Sequence, residues 1–114
     1  MLPDLPERPA DGIGVEPHGE GTLVTLWGEI DGSMRPEASA SMVEAVAAGG
    51  PIVVDTSAVT FIDSSGLGFV LQLYRVSQET GHACTLRNPS PVVEQMLQML
   101  GLAGHIEVEL STDA

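Results

Sequence analysis

Hydrophobic and polar residues alternate in the first third of the chain, and the alternation predicts a β-hairpin. In segment 23–30, alternate residues from Val24 onward are apolar, which is typical of a strand with one buried face. This strand should pair with a shorter one at 13–17 across a turn at 18–21. Gly28 interrupts the pattern and marks a bulge or a point of close backbone approach.

Apolar residues at helical spacing predict three helices after the hairpin. The first should begin near Pro36, with Ala38, Met42, Ala45 and Val46 facing inward and Ser41 facing water. Ser90 should be the N-cap of the third helix, with a proline as its first helical residue. Each helix should end at a glycine, namely Gly49, Gly81 and Gly101.

Three further apolar segments predict the remaining strands. The continuous β-branched run in segment 51–55 is typical of a strand deep in a sheet, and segments 82–87 and 106–110 should add two more, the last at an edge. The order β-β-α-β-α-β-α-β predicts an α/β fold. We expect a mixed, mostly parallel sheet of four to five strands, with an antiparallel amino-terminal element and three to four helices packed on it.

The length of 114 residues allows one domain, which we place at 12–110. The proline-rich, acidic stretch 1–11 is expected to be a flexible tail, and 111–114 a short carboxyl-terminal tail. The amino terminus has too little apolar length for a signal peptide. No apolar run approaches the roughly 20 residues of a membrane span. We therefore expect a cytoplasmic protein that is not bound to a membrane.

Composition narrows the possible functions. The formal net charge is −12, from 16 acidic residues against four arginines and no lysine. Because nucleic acids and anionic bilayers bind clustered cations, neither is an expected partner. A lone Cys84 excludes an internal disulfide and is expected to be an inert buried thiol. Asp31, Asp55 and Asp63 show no recognisable ligand spacing, so we predict no metal or cofactor.

The segment 63–68, Asp-Ser-Ser-Gly-Leu-Gly, is the most informative part of the chain. It follows a predicted strand and opens a helix, so Ser64 and Ser65 could serve simply as N-caps. However, Asp63 competes for the same role, which leaves at least one hydroxyl unused. A phosphate on such a hydroxyl would lie at the positive end of a helix dipole. Leu67 could contact a partner or belong to the core.

Residues 54–68 resemble the signature of the STAS-domain anti-sigma factor antagonists. The likeness extends over roughly residues 12–110. It includes weaker matches at 28–31, 81–82, 88–93 and 101–102. The Asp-Ser-Ser-Gly-Leu-Gly element between a strand and a helix is the most specific part of this resemblance.

The resemblance implies a phosphorylation switch without enzymatic activity. Ser64 matches the phosphorylated serine of the family, Ser65 a supporting hydroxyl, and Asp31 the acidic residue of a neighbouring loop. The implied partners are an anti-sigma factor serine kinase, which brings its own ATP and Mg²⁺, and a phosphatase. The free protein is expected to be a monomer. The expected interface consists of Asp31, Gly32, Ser33, Asp63, Ser64, Ser65, Gly66, Leu67, Gly68 and Asn88.

Two other functions are compatible with the sequence. The chain could be a STAS subunit that serves as a non-phosphorylated structural partner of a transport ATPase or a stress-signalling scaffold. It could also be an enzyme or ligand-binding module that uses the loop hydroxyls. The sequence does not identify the kinase, the sigma factor, the phosphatase or the stimulus.

Overall fold

A computed structural model describes residues 9–111 and contains, within that range, five strands, three α-helices and one 3₁₀ turn. The predicted tail residues 1–8 and 112–114 lie outside the described residues. In chain order the elements are β1 (Gly12–His18), β2 (Gly21–Ile30), the 3₁₀ turn (Gly32–Met34), α1 (Arg35–Ala48), β3 (Ile52–Ile62), α2 (Ser64–Thr80), β4 (Cys84–Arg87), α3 (Pro91–Met99) and β5 (Glu107–Glu109).

The strands form one sheet in the order β1-β2-β3-β4-β5, with only the β1–β2 pair antiparallel. This arrangement confirms the predicted fold class. The long parallel pairing of β2 with β3 ends at the partners Ile30 and Ile62. Because parallel strands run in the same direction, the residues that follow these two leave the sheet at the same edge.

The amino-terminal hairpin is confirmed, and so is the irregularity at Gly28. Gly28 has a φ of +77°, and the β2–β3 register shifts beside it. A side chain at this position would collide with the Ala10 carbonyl and with Asp11. The chain before β1 lies along β2, where the Trp27 Nε1–H donates to the Pro9 carbonyl oxygen at 2.8 Å.

β3 is longer than the sequence pattern indicates. The predicted strand ended at Asp55, but the observed one continues to Ile62. The Asp55 carboxylate accepts hydrogen bonds from the Ser57 N–H at 2.9 Å and from the Arg87 Nε–H at 3.0 Å. These bonds satisfy the charge within the sheet, so the polar residues do not end the strand.

The core contains buried side chains from all three helices and from β2, β3 and β4. The prediction for Ser41 was wrong: this residue is buried in α1, with 5% of its surface exposed. Ser41 and Ala45 are both buried, whereas the predicted inward residue Val46 is 46% exposed. Small residues on the inner side let α1 approach the sheet closely.

The predicted helix ends are confirmed at Gly49, Gly81 and Gly101, which follow the three helices directly or after one residue. Ser90 is the N-cap of α3, as predicted. However, its side chain makes no capping hydrogen bond, and its hydroxyl oxygen is buried with no partner within residues 9–111.

Candidate functional site

The candidate site is built where β2 and β3 end together. The Asp63 N–H donates to the Ile30 carbonyl oxygen at 3.3 Å, which ties the end of β3 to the end of β2. Asp31 and Asp63 follow the paired residues Ile30 and Ile62. Two segments about thirty residues apart in sequence, 31–33 and 63–68, therefore meet at one edge of the sheet.

Asp63, and neither serine, caps α2. Its Oδ1 accepts a hydrogen bond from the Gly66 N–H at 2.9 Å, which satisfies one of the free N–H groups of the first turn. Ser64 and Ser65 occupy the first two helical positions and are exposed. Within residues 9–111, neither hydroxyl makes a hydrogen bond. The alternative in which a serine serves as the N-cap is therefore wrong, and both hydroxyls lie at the positive end of the α2 dipole.

The 3₁₀ turn lies beside this helix entrance. Asp31 caps the turn, where its Oδ1 accepts hydrogen bonds from the Ser33 Oγ–H at 2.5 Å and the Ser33 N–H at 2.9 Å. These bonds, the side-chain one above all, lower the pKa of Asp31. A Cβ placed on Gly32 would lie 3.8 Å from the Ser65 Oγ. The turn therefore lies close to Ser65, while the partner-binding role of Asp31, Gly32 and Ser33 stays a prediction.

Sequence reasoning placed Gly66 and Leu67 in a partner interface, but both side-chain positions are buried inside the fold. Gly66 is buried, and a Cβ there would lie 2.9 Å from side-chain carbons of both Ile30 and Ile62. Leu67 is fully buried in the core, which decides between its two alternatives. Of the segment 66–68, only Gly68 is exposed, and a Cβ added there would have no heavy atom within 4 Å. The close fit at Gly66 explains why the helix entrance sits so near the strand ends.

Asn88 makes structural contacts away from the serines. Its side-chain Oδ1 accepts from the Ser111 N–H at 2.8 Å, and its Nδ2–H donates to the Ser111 carbonyl oxygen at 3.1 Å. It also has a φ of +47°, which asparagine tolerates better than most residues. These contacts hold the chain after β5, while a partner-binding role for Asn88 stays a prediction.

A groove of about 510 Å³ opens between α1 and the first turns of α2. Its apolar lining includes Ile13, Met34, Met42 and Phe69. Its polar lining includes Asp31, Ser65 and Arg35. Sequence reasoning missed Arg35, although its position four residues after Asp31 places it one turn from the predicted interface.

Within residues 9–111, the titratable side chains outside this groove show no sign of a second site. Within residues 9–111, no group of three or more His, Cys, Asp or Glu side chains could hold a metal ion. Partial burial acts to raise the pKa of Asp55, but hydrogen bonds from Ser57 and the Arg87 guanidinium outweigh it and leave the pKa below its usual value. Burial raises the pKa of Cys84 to about 11, as expected for an unreactive thiol. In the described part of the chain, no helix has both the length and the apolar character that crossing a membrane requires.

Comparison with known proteins identifies the family. The STAS domain family model matches residues 13–114, which is nearly the whole chain. The chain belongs to the STAS domain family. This result confirms the resemblance seen in residues 54–68.

The relatives of this STAS chain include two curated proteins named anti-sigma F factor antagonist. The protein of Lysinibacillus sphaericus is 31% identical over 85 residues, which cover 73% of each chain. The protein of Paenibacillus polymyxa is 32% identical over 92 residues, which cover 79% of each chain.

A solved structure of the anti-sigma factor antagonist SpoIIAA in its unphosphorylated form is similar to the STAS fold described above. The TM-score is 0.69 and the sequence identity 26%, with 90% of each chain covered. SpoIIAA has also been solved in its phosphorylated form, with a TM-score of 0.66, 26% identity and coverage of 90% of this chain and 93% of that one.

Proposed function

We propose that this protein is an anti-sigma factor antagonist whose binding to an anti-sigma factor kinase is switched off by phosphorylation of Ser64. The observation that carries the proposal is the exposed Ser64 hydroxyl at the first position of α2, beside a carboxylate that already caps the helix. The curated relatives named anti-sigma F factor antagonist support the first part of the proposal. The phosphorylated form of SpoIIAA supports the second, because it is a related fold that accepts a phosphate.

The protein has no catalytic role in this scheme. The kinase supplies ATP and Mg²⁺, and a phosphatase later removes the phosphate. The Ser64 Oγ forms a new bond to the γ-phosphorus of ATP, and the bond from that phosphorus to the β–γ bridging oxygen breaks. ADP leaves with the electron pair, and the hydroxyl proton passes to a base of the kinase. The free chain acts as a monomer, in the cytoplasm where sigma factors act.

Electrostatic repulsion is the physical basis of the switch. A phosphate on Ser64 adds about −1.5 to −2 charges, and the α2 dipole favours it by roughly 0.3–1 kcal/mol. Against a partner carboxylate about 6 Å away in a closed interface, each unit of charge costs roughly 3 kcal/mol at an effective dielectric constant near 20. That energy corresponds to a loss of affinity of about a hundredfold. The Ser64 hydroxyl holds no internal hydrogen bond within residues 9–111, so the switch requires no refolding.

Phosphorylation and binding assays on serine variants test the proposal. Candidate kinases from the same genome are incubated with the chain and ATP, and the product is followed by intact mass and site mapping. Ser64→Ala should bind the kinase but accept no phosphate, whereas the matched control Ser65→Ala should still accept one phosphate, at Ser64. Ser64→Glu should weaken kinase binding. Phosphate on Ser65 in the Ser64→Ala protein would show that the acceptor assignment is wrong.

Asp31 gives a second test of the same surface. Asp31→Asn removes the charge but leaves an amide oxygen that can still accept from the Ser33 N–H. The fold should therefore persist while kinase affinity or the phosphorylation rate changes. Calorimetric titration against the kinase, with circular dichroism as the control for folding, measures both. Unchanged affinity and an unchanged phosphorylation rate would show that Asp31 is not part of the interface.

A further inference from the structure

Within residues 9–111, Arg35 is a positive charge without an ion-pair partner, on a strongly acidic molecule. The chain has four arginines and no lysine against 16 acidic residues. Arg35, Arg75 and Arg87 are the arginines within residues 9–111. Arg87 forms an ion pair with Asp55, with a distance of 3.0 Å between the arginine Nε and the carboxylate Oδ2. Arg35 is exposed and makes no ion pair within that range, although carboxylates are abundant.

The fold holds Arg35 next to the entrance of α2. Its backbone N–H donates to the Gly32 carbonyl oxygen, which fixes it to the 3₁₀ turn. That turn contains Gly32, where an added Cβ would lie 3.8 Å from the Ser65 Oγ. Arg35 and Ser65 line the same groove, and Arg35 is the one basic residue among the lining residues. Ser64 is not itself a lining residue, but it is the first residue of α2 and precedes Ser65, so it lies at the same helix entrance as the groove.

We propose that Arg35 binds the phosphate of phosphorylated Ser64 within the same molecule, an inference that rests on the proposed function. The guanidinium group offers a planar pair of N–H donors that matches two phosphate oxygens. It supplies the positive charge that the phosphate needs beside two carboxylates, Asp31 and Asp63. In this position the arginine side chain lies across the groove, so the phosphorylated state changes the shape of the groove as well as its charge.

The test uses the full chain with phosphoserine installed at position 64 during synthesis, so that no kinase is needed. The second ionisation of the phosphate is followed by phosphorus NMR across a pH titration. An adjacent arginine favours the dianion, so the phosphate pKa should be lower in the wild type than in Arg35→Gln by about half a unit. Arg75→Gln is the matched control, because Arg75 is an exposed arginine of α2 outside the groove lining.

The pattern across variants decides the outcome. The proposal requires that Arg75→Gln titrates like the wild type, that Arg35→Lys falls between wild type and Arg35→Gln, and that 1 M salt removes most of the difference. Equal phosphate pKa values in wild type and Arg35→Gln would overturn the pairing, as would an equal effect of Arg75→Gln. Because the phosphoserine is installed without a kinase, absence of phosphorylation in the assays above would refute the proposed function while leaving this measurement intact.

Discussion

Gly66 and Gly68 lie two residues apart in α2. Substitution by alanine should lower the stability of the fold at Gly66 and raise it at Gly68. Gly66 is buried against the strand ends, and Gly68 is exposed. A methyl group at Gly66 would collide with the Ile30 carbonyl oxygen and would lie 2.9 Å from Ile30 Cγ2 and Ile62 Cγ1. At Gly68 it would have no heavy atom within 4 Å.

The expected magnitudes follow from these contacts. Overpacking of this kind costs about 1–3 kcal/mol, and the Ile30 carbonyl cannot move without disturbing the end of β2. Alanine in a helix is more favourable than glycine by up to about 1 kcal/mol, which offsets only part of that cost. Gly66→Ala should therefore destabilise the protein by about 1–2 kcal/mol. Gly68→Ala should stabilise it by up to about 1 kcal/mol, because only the helix propensity changes.

Urea unfolding measures this difference. Trp27, the single tryptophan of the chain, reports on the sheet by fluorescence, and circular dichroism reports on the helices. With an unfolding slope of about 1–3 kcal/mol per molar urea, the midpoint of Gly66→Ala should fall by roughly 0.5–1 M while that of Gly68→Ala rises. If Gly66→Ala proves as stable as the wild type, the close fit of α2 against Ile30 is not as described, and the placement of Ser64 must be revised.

Two further measurements address buried and partly buried titratable groups. The pKa of Asp55 is lowered in the folded state, so its carboxylate contributes stability above its unfolded pKa of about 3.9, and that contribution is lost as the pH falls through the folded value. Asp55→Asn should be less stable near neutral pH and should lose less stability than the wild type between pH 5 and pH 3 in urea titrations; parallel pH profiles would contradict this role. Burial raises the pKa of Cys84 to about 11, so a disulfide reagent at pH 8 should modify the native thiol far more slowly than the thiol in urea. Equal rates would show that the thiol is accessible in the native state.

The order of elements could be predicted from sequence because hydrophobic periodicity and glycine positions encode it locally. The extent of β3 could not be predicted. Asp55 and Ser57 are typical of a loop, and only the contact with Arg87, 32 residues later in the chain, satisfies the carboxylate within the sheet. The prediction for Ser41 failed for a related reason, since a small hydroxyl can lie inside when the helix must approach the sheet closely.

The residue types of the candidate site could be predicted from the sequence, but the structural role of each residue could not. The sequence offers Asp63, Ser64 and Ser65 as competing caps, and local rules do not choose among them. The structure assigns the cap to Asp63 and leaves the hydroxyls exposed. The packing role of Gly66 depends on the pairing of Ile30 with Ile62, and the groove position of Arg35 depends on how α1 lies beside α2. Neither arrangement can be read from nearby residues.

The surface around Ser64 exists only in a folded chain, because the pairing of Ile30 with Ile62 brings its two segments together. Neither segment carries the whole epitope, so an isolated peptide that spans the serines lacks the acidic loop contributed by the other strand. Under the proposed function, a kinase that contacts both segments would act on folded chains and not on nascent or damaged ones. Only folded copies of the protein would then take part in signalling through this surface.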